Sequence, residues 1–154
     1  EPLFIHEKMP KRERSEKALQ LLEEVGLGKE HLNRYPHQFS GGQRQRLSIA
    51  RAIALKPDLI VCDEAVSALD VSTQAQILHL LDTLQKTYGI AYIFIAHGLP
   101  AVRLISDRIA IMYKGKIVET GSRDEIFENP QHDYTKTLLN AVPPSHPKFR
   151  EEMK

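Results

Sequence analysis

Leu59-Ile60-Val61-Cys62-Asp63-Glu64 is the stretch on which the fold turns. Four apolar residues in a row have the length of a fully buried strand, and two carboxylates stand where that strand ends. In open α/β sheets, ligands bind beyond the carboxyl ends of the strands. Strand alternation sends neighbouring side chains to opposite sides, so the two acids are expected to have different jobs. Asp63 suits a magnesium ion, directly or through water. Glu64 suits polarising a water for attack on a phosphoryl group. The bland alternative is an acidic loop after a strand, which is common and carries no function.

Downstream, residues 90–96 are rich in β-branched and aromatic side chains and read as a second buried strand. His97 follows it, and leaves the sheet on the same edge as Asp63 and Glu64 if the two strands are parallel neighbours. A helix is expected between them, with Ile77, Leu78, Leu81 and Leu84 on its apolar face and Gly89 beyond its end. Asp70, Ser72 and Thr73 are its candidate caps, and Thr73 with Gln76 has capping-box spacing. Upstream, a helix runs to about residue 54 with Leu47, Ala50 and Ile53 as its stripe. Another covers residues 15–25 and is closed by Gly26 and Gly28. A polar loop at 31–38 joins the two.

Beyond His97 the pattern gives a short helix near 100–105 and strands near 108–113 and 116–119, joined through Lys114-Gly115. Ser122 and Glu125 form a capping box, and a last helix covers roughly 134–140. The tail from 143 to 154 has three prolines and many charges and is expected to be loose. Strand, helix, strand, helix in this order indicates an α/β domain with a mostly parallel sheet. Two strands are too few for an independently stable one.

A chain of 154 residues has room for one core but not for two comfortable domains. With 21 basic against 20 acidic side chains there is no basic stripe, and so no argument for nucleic acid. The run from Lys11 to Arg14 is interrupted by Glu13 and reads as a solvated helix start. The single cysteine, Cys62, excludes an internal disulfide and reads as a buried, inert thiol, which fits a reducing compartment. Residues 1–14 carry charge and two prolines, unlike a signal peptide. The apolar stretch at 90–96 is far short of the ~20 residues that span a bilayer. Work at a membrane would need other chains to hold this one there.

Phe39-Ser40-Gly41-Gly42-Gln43 opens the helix that runs to residue 54. Two glycines before a helix let backbone approach a ligand without Cβ atoms in the way. The first N–H groups of that helix lack intrahelical partners and carry the positive end of its dipole. With the Ser40 hydroxyl they make an anion site. Taken alone, a plain turn with Ser40 as N-cap explains the pentapeptide equally well.

Phe39 to Gln43, Leu59 to Glu64, Ser67-Ala68-Leu69-Asp70 and His97, in this order and spacing, resemble the ATP-binding subunits of ABC transporters over essentially the whole chain. The resemblance implies an α/β partial P-loop NTPase domain with parallel core strands and a helical subdomain segment at the N-terminus. It makes Ser40, Gly41, Gly42 and Gln43 the signature motif, with Phe39 where the family usually has leucine. Asp63 becomes the Walker B aspartate for Mg2+ and Glu64 the catalytic glutamate. Ser67, Ala68, Leu69 and Asp70 become the D-loop, and His97 the switch histidine. Residues 129–135 with 141–143, together with Tyr35-Pro36-His37, look like the oligopeptide and dipeptide importer subgroup. The expected segments are residues 1–56 (helical subdomain portion), 57–121 (α/β core) and 122–154 (C-terminal tail).

In that family two such domains sandwich ATP head to tail, each nucleotide touching the signature motif of the opposite subunit. The implied partners are a second ATP-binding subunit, transmembrane permease subunits and, indirectly, an extracytoplasmic peptide-binding protein, at the cytoplasmic membrane face. Within these 154 residues nothing matches Gly-x-x-x-x-Gly-Lys-Ser/Thr, and the family's glutamine loop is also missing. The chain is therefore expected to be the C-terminal part of a subunit and inactive alone. The alternatives are a non-catalytic module that binds an intact ATPase, or a decayed fragment. Ala65 replaces the usual proline after the glutamate, which releases a restraint on Glu64. Gly98 replaces the usual acid after the histidine. His37 is read as a family feature, and His6, His31, His79, His132 and His146 as surface residues.

Overall fold

The computed structural model describes residues 2–7 and 9–141, and the expected tail, with His146, lies outside them. The chain divides into two compact units, one up to Ile95 and one from Ala96.

The first unit is mostly helical: α1 Pro2–His6, α2 Lys11–Glu24, 3₁₀ turns at Lys29–His31 and Pro36–Gln38, α3 Gly41–Ile53 and α4 Val71–Tyr88. Between and after the last two lie β1 Leu59–Asp63 and β2 Ala91–Ile95. The strands pair in parallel, from Leu59 opposite Ala91 to Asp63 opposite Ile95. α4 fills the gap with Ile77, Leu78, Leu80, Leu81 and Leu84, all buried. Its end is set by Gly89, whose φ of +67° belongs to the left-handed region and lets its N–H reach the Gln85 carbonyl.

α2 begins at Lys11, so the run from Lys11 to Arg14 is the solvated helix start it was read as, four residues ahead of the apolar pattern at 15–25. Pro10, at φ −57° and ψ 153°, starts it, and Arg12 pairs with Glu16 one turn on. Ser15 is an interior residue whose hydroxyl donates to the Lys11 carbonyl at 2.9 Å. A Lys17–Glu7 ion pair at 3.0 Å holds α2 to the end of α1, an element the sequence pattern does not announce. In α3 the buried residues are Ile49, Ala50 and Ile53, with Leu47 only half buried. Arg46 of α3 donates to the Val25 carbonyl at 2.7 Å and to Gln76 of α4 at 3.3 Å, so one guanidinium joins three helices.

The expected burial of the strands holds on one face only. Cys62 is buried, while Leu59, Val61, Ile93 and Ile95 are 50%, 58%, 50% and 48% exposed. These four belong to one face by register, and β1 and β2 pair only with each other among the described residues.

The second unit contains α5 Leu99–Ile105, β3 Arg108–Tyr113, β4 Lys116–Ser122, α6 Arg123–Glu128 and α7 Asp133–Asn140. β3 and β4 form an antiparallel hairpin with an irregularity between Ile111 and Met112. Ile109, Ile111 and Ile126 make its core, flanked by Val102, Val118, Phe127, Tyr134 and Leu138. The Ser122–Glu125 capping box opens α6 as expected. Glu119 accepts the backbone N–H groups of Gln131 and His132 at 2.8 and 3.0 Å, which ties the segment before α7 to β4. The Gln131 amide first, with other donors, holds this carboxyl below its ordinary range. No helix of the described residues is long and apolar enough to cross a membrane.

Ile77 is fully buried at 0% exposure, so Ile77→Ala removes core volume that its neighbours only partly refill. We expect a loss of about 2–5 kcal/mol in urea unfolding. A loss under about 1 kcal/mol would show that α4 is not the core of the first unit.

Candidate functional site

The end of β1 is built by a short series of backbone and side-chain bonds. Asp63, its last residue, is exposed. Glu64 does not continue the strand: its φ of +48° lies in the left-handed region, which non-glycine residues rarely adopt. The simple alternation expected for the two acids is thereby corrected, because the chain bends between them. The Glu64 N–H still donates to the Ile95 carbonyl at 2.9 Å, which anchors the bend to β2. Its carbonyl accepts the Ser67 N–H at 3.2 Å and the Ser67 hydroxyl at 3.0 Å. Val66 plugs into the core, and the Gln74 amide clamps the Val66 and Leu69 carbonyls at 3.0 Å each.

Of the three candidate caps, Asp70 starts α4. One carboxylate oxygen accepts the Ser72 hydroxyl at 2.6 Å and the Thr73 N–H at 3.0 Å, and the other takes the Thr73 hydroxyl at 2.7 Å. Ser72 and Thr73 are donors to the cap rather than rivals of it. The Ser72 hydroxyl first, then the Thr73 amide and hydroxyl, hold the Asp70 carboxyl far below its ordinary range.

Ser40 caps α3 in a full capping box. Its hydroxyl accepts the Gln43 N–H at 3.2 Å, and its own N–H donates to Gln43 Oε1 at 3.0 Å. The accepting hydroxyl keeps its proton for a ligand. The bland reading of the pentapeptide is thus true of its fold without excluding the anion site. Gly41 is exposed. Gly42 serves packing: a Cβ there would lie 2.6 Å from Thr73 Cγ2, whereas one at Gly41 would meet Leu69 Cδ2 at an ordinary 3.5 Å. The first turn of α3 is therefore seated on the turn after β1. The structure brings together Ser40, Gly41, Gly42 and Gln43 with Leu69 and Asp70, on the loop that Asp63 and Glu64 begin.

His97 follows β2 by two residues and is exposed, in the second unit, before the Gly98 N-cap of α5. His31, expected at the surface, is half-buried, with its side chain 9% exposed. Its ring lies 5.6 Å from that of Phe39 and its Nε2 is 3.3 Å from Gln43 Nε2. Twelve residues separate it from Gln43, a spacing that no local pattern reveals. His37 stacks on Tyr35 at 5.8 Å with both exposed.

Among the described residues no three His, Cys, Asp or Glu side chains form a metal cluster. The exposed Asp63 carboxylate would offer magnesium one hard oxygen ligand, and magnesium seldom uses an all-protein cage. Behind the strand ends, burial raises the Cys62 thiol, and burial with the nearby Cys62 pushes the Tyr92 hydroxyl up to about 12.

A parallel strand ending at Asp63, with Glu64 in the bend beyond it and a Ser-Gly-Gly helix start packed against the following turn, is what the resemblance to an α/β domain of the P-loop NTPase class leads one to expect. Solved structures agree. A dimeric bacterial ABC transporter cassette is 32% identical with a TM-score of 0.68, over 79% of this chain and 53% of its own. An ADP-bound ATP-binding cassette of an ABC transporter is 26% identical with a TM-score of 0.72, over 91% of this chain and 55% of its own. The chain belongs to the ABC transporter family. That family's profile matches residues 2–67, and the profile "Oligopeptide/dipeptide transporter, C-terminal region" matches 118–154.

Among relatives, the oligopeptide transport ATP-binding protein OppF of Bacillus subtilis is 58% identical over 90% of this chain and 46% of its own length. The dipeptide transport ATP-binding protein DppF of Escherichia coli is 51% identical over 99% of this chain and 46% of its own. A glutathione import ATP-binding protein, GsiA of Pectobacterium atrosepticum, is 53% identical over 98% and 24% respectively. The chain thus spans about half or less of the length of these relatives.

Two tests follow from the geometry. Gly42→Ala is expected to cost about 1–3 kcal/mol of stability, because Thr73 cannot rotate away without losing its bond to Asp70. Gly41→Ala should be much milder, and equal losses would contradict the packing role. For Asp70, the folded carboxyl titrates lower than the unfolded one, so its contribution is complete above about pH 4 and fades as pH falls further. The gap in urea midpoint between wild type and Asp70→Asn should therefore narrow from pH 5 to pH 3. A constant gap would refute the cap's ionic character.

Proposed function

We propose that this chain supplies the signature, Walker B, D-loop and switch-histidine portion of an ATP-hydrolysing ABC transporter subunit that drives oligopeptide or dipeptide uptake. The observation that carries this reading is the seating of the Ser40-Gly41-Gly42 helix start on the loop that begins at Asp63 and Glu64. Ser40, with the N–H groups of Gly41 and Gly42, binds the phosphates of an ATP held mainly by a second ATP-binding subunit, while Gln43 braces the loop. Asp63 orients the magnesium that accompanies the nucleotide. Glu64 accepts a proton from the attacking water, and His97 contacts the terminal phosphate or that water. Ser67, Ala68, Leu69 and Asp70 transmit closure between the two halves.

The peptide substrate class is supported by the match of residues 118–154 and by what the relatives' names say of those proteins. Work with permease subunits at the cytoplasmic membrane face, and through them with an extracytoplasmic binding protein, belongs to the same reading. The proposed segments are a helical subdomain portion at 1–56, an α/β core at 57–121 and a peptide-transporter tail at 122–154.

No phosphate-binding loop sequence lies within the 154 residues, so the pure chain is expected to show no magnesium-dependent ATP turnover. Turnover abolished by Glu64→Gln would refute that point. When the chain is mixed with a complete oligopeptide-transport cassette subunit, ATP should bind more tightly. Ser40→Asp keeps a good N-cap but places a negative charge against the phosphates. It should remove most of the gain, about tenfold in affinity, which corresponds to about 1.4 kcal/mol. An unchanged affinity with Ser40→Asp would remove the trans contact from the proposal.

A further inference from the structure

We propose that His31 is the positioning residue of the 40–43 loop, holding it through a one-way hydrogen-bond chain that only a neutral imidazole protonated on Nδ1 supports. The direction of every bond follows from one group that has no choice. The Ser40 backbone N–H can only donate, and it lies 3.0 Å from Gln43 Oε1. That contact fixes the orientation of the Gln43 amide and turns its NH₂ toward His31, with Nε2 to Nε2 at 3.3 Å. An NH₂ group also only donates, so His31 Nε2 must be the bare nitrogen. The ring proton therefore sits on Nδ1, where the Gly28 carbonyl accepts at 3.2 Å and a Glu30 carboxylate oxygen lies 3.0 Å from the same nitrogen. The chain runs from Ser40 N–H to Gln43, from Gln43 to His31, and from His31 to Gly28.

Surrounding packing keeps this arrangement in place. The ring is held against Phe39, the residue just before the loop. Glu30 folds back over Gly28 so closely that a Cβ at position 28 would lie 2.7 Å from the carboxylate oxygen Oε1, so glycine there gives the acceptor its room. These contacts come from the 3₁₀ turn and the segment before it, from α3 and from the stretch leading into α3. Of the groups they turn toward the ring, Glu30 is the charged one.

Protonating His31 puts a second N–H on Nε2, facing the Gln43 NH₂. Donor then meets donor. The amide has to turn over or leave, and either move takes Oε1 away from the Ser40 N–H and opens the capping box. The imidazolium also stands near the positive end of the α3 dipole. A half-buried histidine behind the loop thus couples the loop's geometry to the number of protons on its ring.

The test is a pH titration from 8 to 5 of the isotopically labelled 154-residue chain by NMR. At pH 8 the His31 ring nitrogens should report the proton on Nδ1. On acidification the Ser40 amide and the Gln43 side-chain NH₂ should move with the same midpoint as the His31 ring. His31→Gln, which can still offer an acceptor to Gln43, should keep the Ser40 amide near its wild-type position and make it insensitive to pH. A proton found on Nε2 at pH 8 overturns the proposal without any variant. So does a His31 ring that titrates while Ser40 and Gln43 stay still.

The consequence for nucleotide rests on the proposed function. The ATP affinity that the chain confers on a complete cassette subunit should fall about fivefold on the acidification that moves the His31 ring signals, relative to His31→Gln. If the NMR signature is present and affinity is flat, His31 positions the loop and the phosphate contact is what fails.

Discussion

Gly42 approaches Thr73 too closely for any side chain to stand between them, and this contact binds the two halves of the first unit's chemistry into one object. Thr73 cannot yield, because its hydroxyl and its N–H are both committed to Asp70. Asp70 closes a turn whose other end is fixed by the Glu64 carbonyl and whose middle is clamped by Gln74. On the other side, Gly42 lies inside a capping box in which Ser40 and Gln43 satisfy each other. An unbroken series of short contacts therefore runs from the carboxylates at the end of β1 to the glycines at the start of α3. None of these links is strong alone, since each exposed hydrogen bond contributes only about 0.5–1.5 kcal/mol. Their value is geometric: displacing one end displaces the other.

Much of this was legible in the sequence where the signal is local. The positions of β1, β2, the β3–β4 hairpin and the α4 stripe follow from apolar runs and their period. Gly89 and the Ser122–Glu125 pair mark helix ends because their chemistry acts within one turn. The motif order was legible for the same reason, as each motif is contiguous. What escaped was decided at a distance. α1 depends on the Lys17–Glu7 pair, between residues ten apart. Ser15, where the apolar pattern of the next helix begins, is an interior residue of α2 whose hydroxyl bonds backward to a carbonyl.

The site shows the same division. Ser40 as cap is a three-residue relation and could be read directly. Asp70 outcompeted Thr73 because a carboxylate accepts three hydrogen bonds here, whereas the Thr73–Gln76 pair would have offered a neutral exchange. The left-handed turn at Glu64 was invisible because neither glutamate nor alanine favours it, so the Ile95 carbonyl and Ser67 must hold it in place. The partial burial of His31 needed the fold, since Phe39 and Gln43 reach it only after the intervening chain has turned back.

Asp63 shares its face of the sheet with Leu59 and Val61, and stands opposite Ile95 in register. The exposed carboxylate therefore borders the exposed aliphatic patch, and the two cannot be treated separately. Any surface that covers Leu59, Val61, Ile93 and Ile95 also strips water from around Asp63. A carboxylate losing water needs a compensating charge or strong donors, because an uncompensated buried ion is far costlier than the apolar burial is favourable. A hydrated divalent cation meets that need without requiring further protein ligands. The apolar patch and the carboxylate at its edge are thus two aspects of one constraint: closing the first requires a compensating charge, strong donors or a proton at the second.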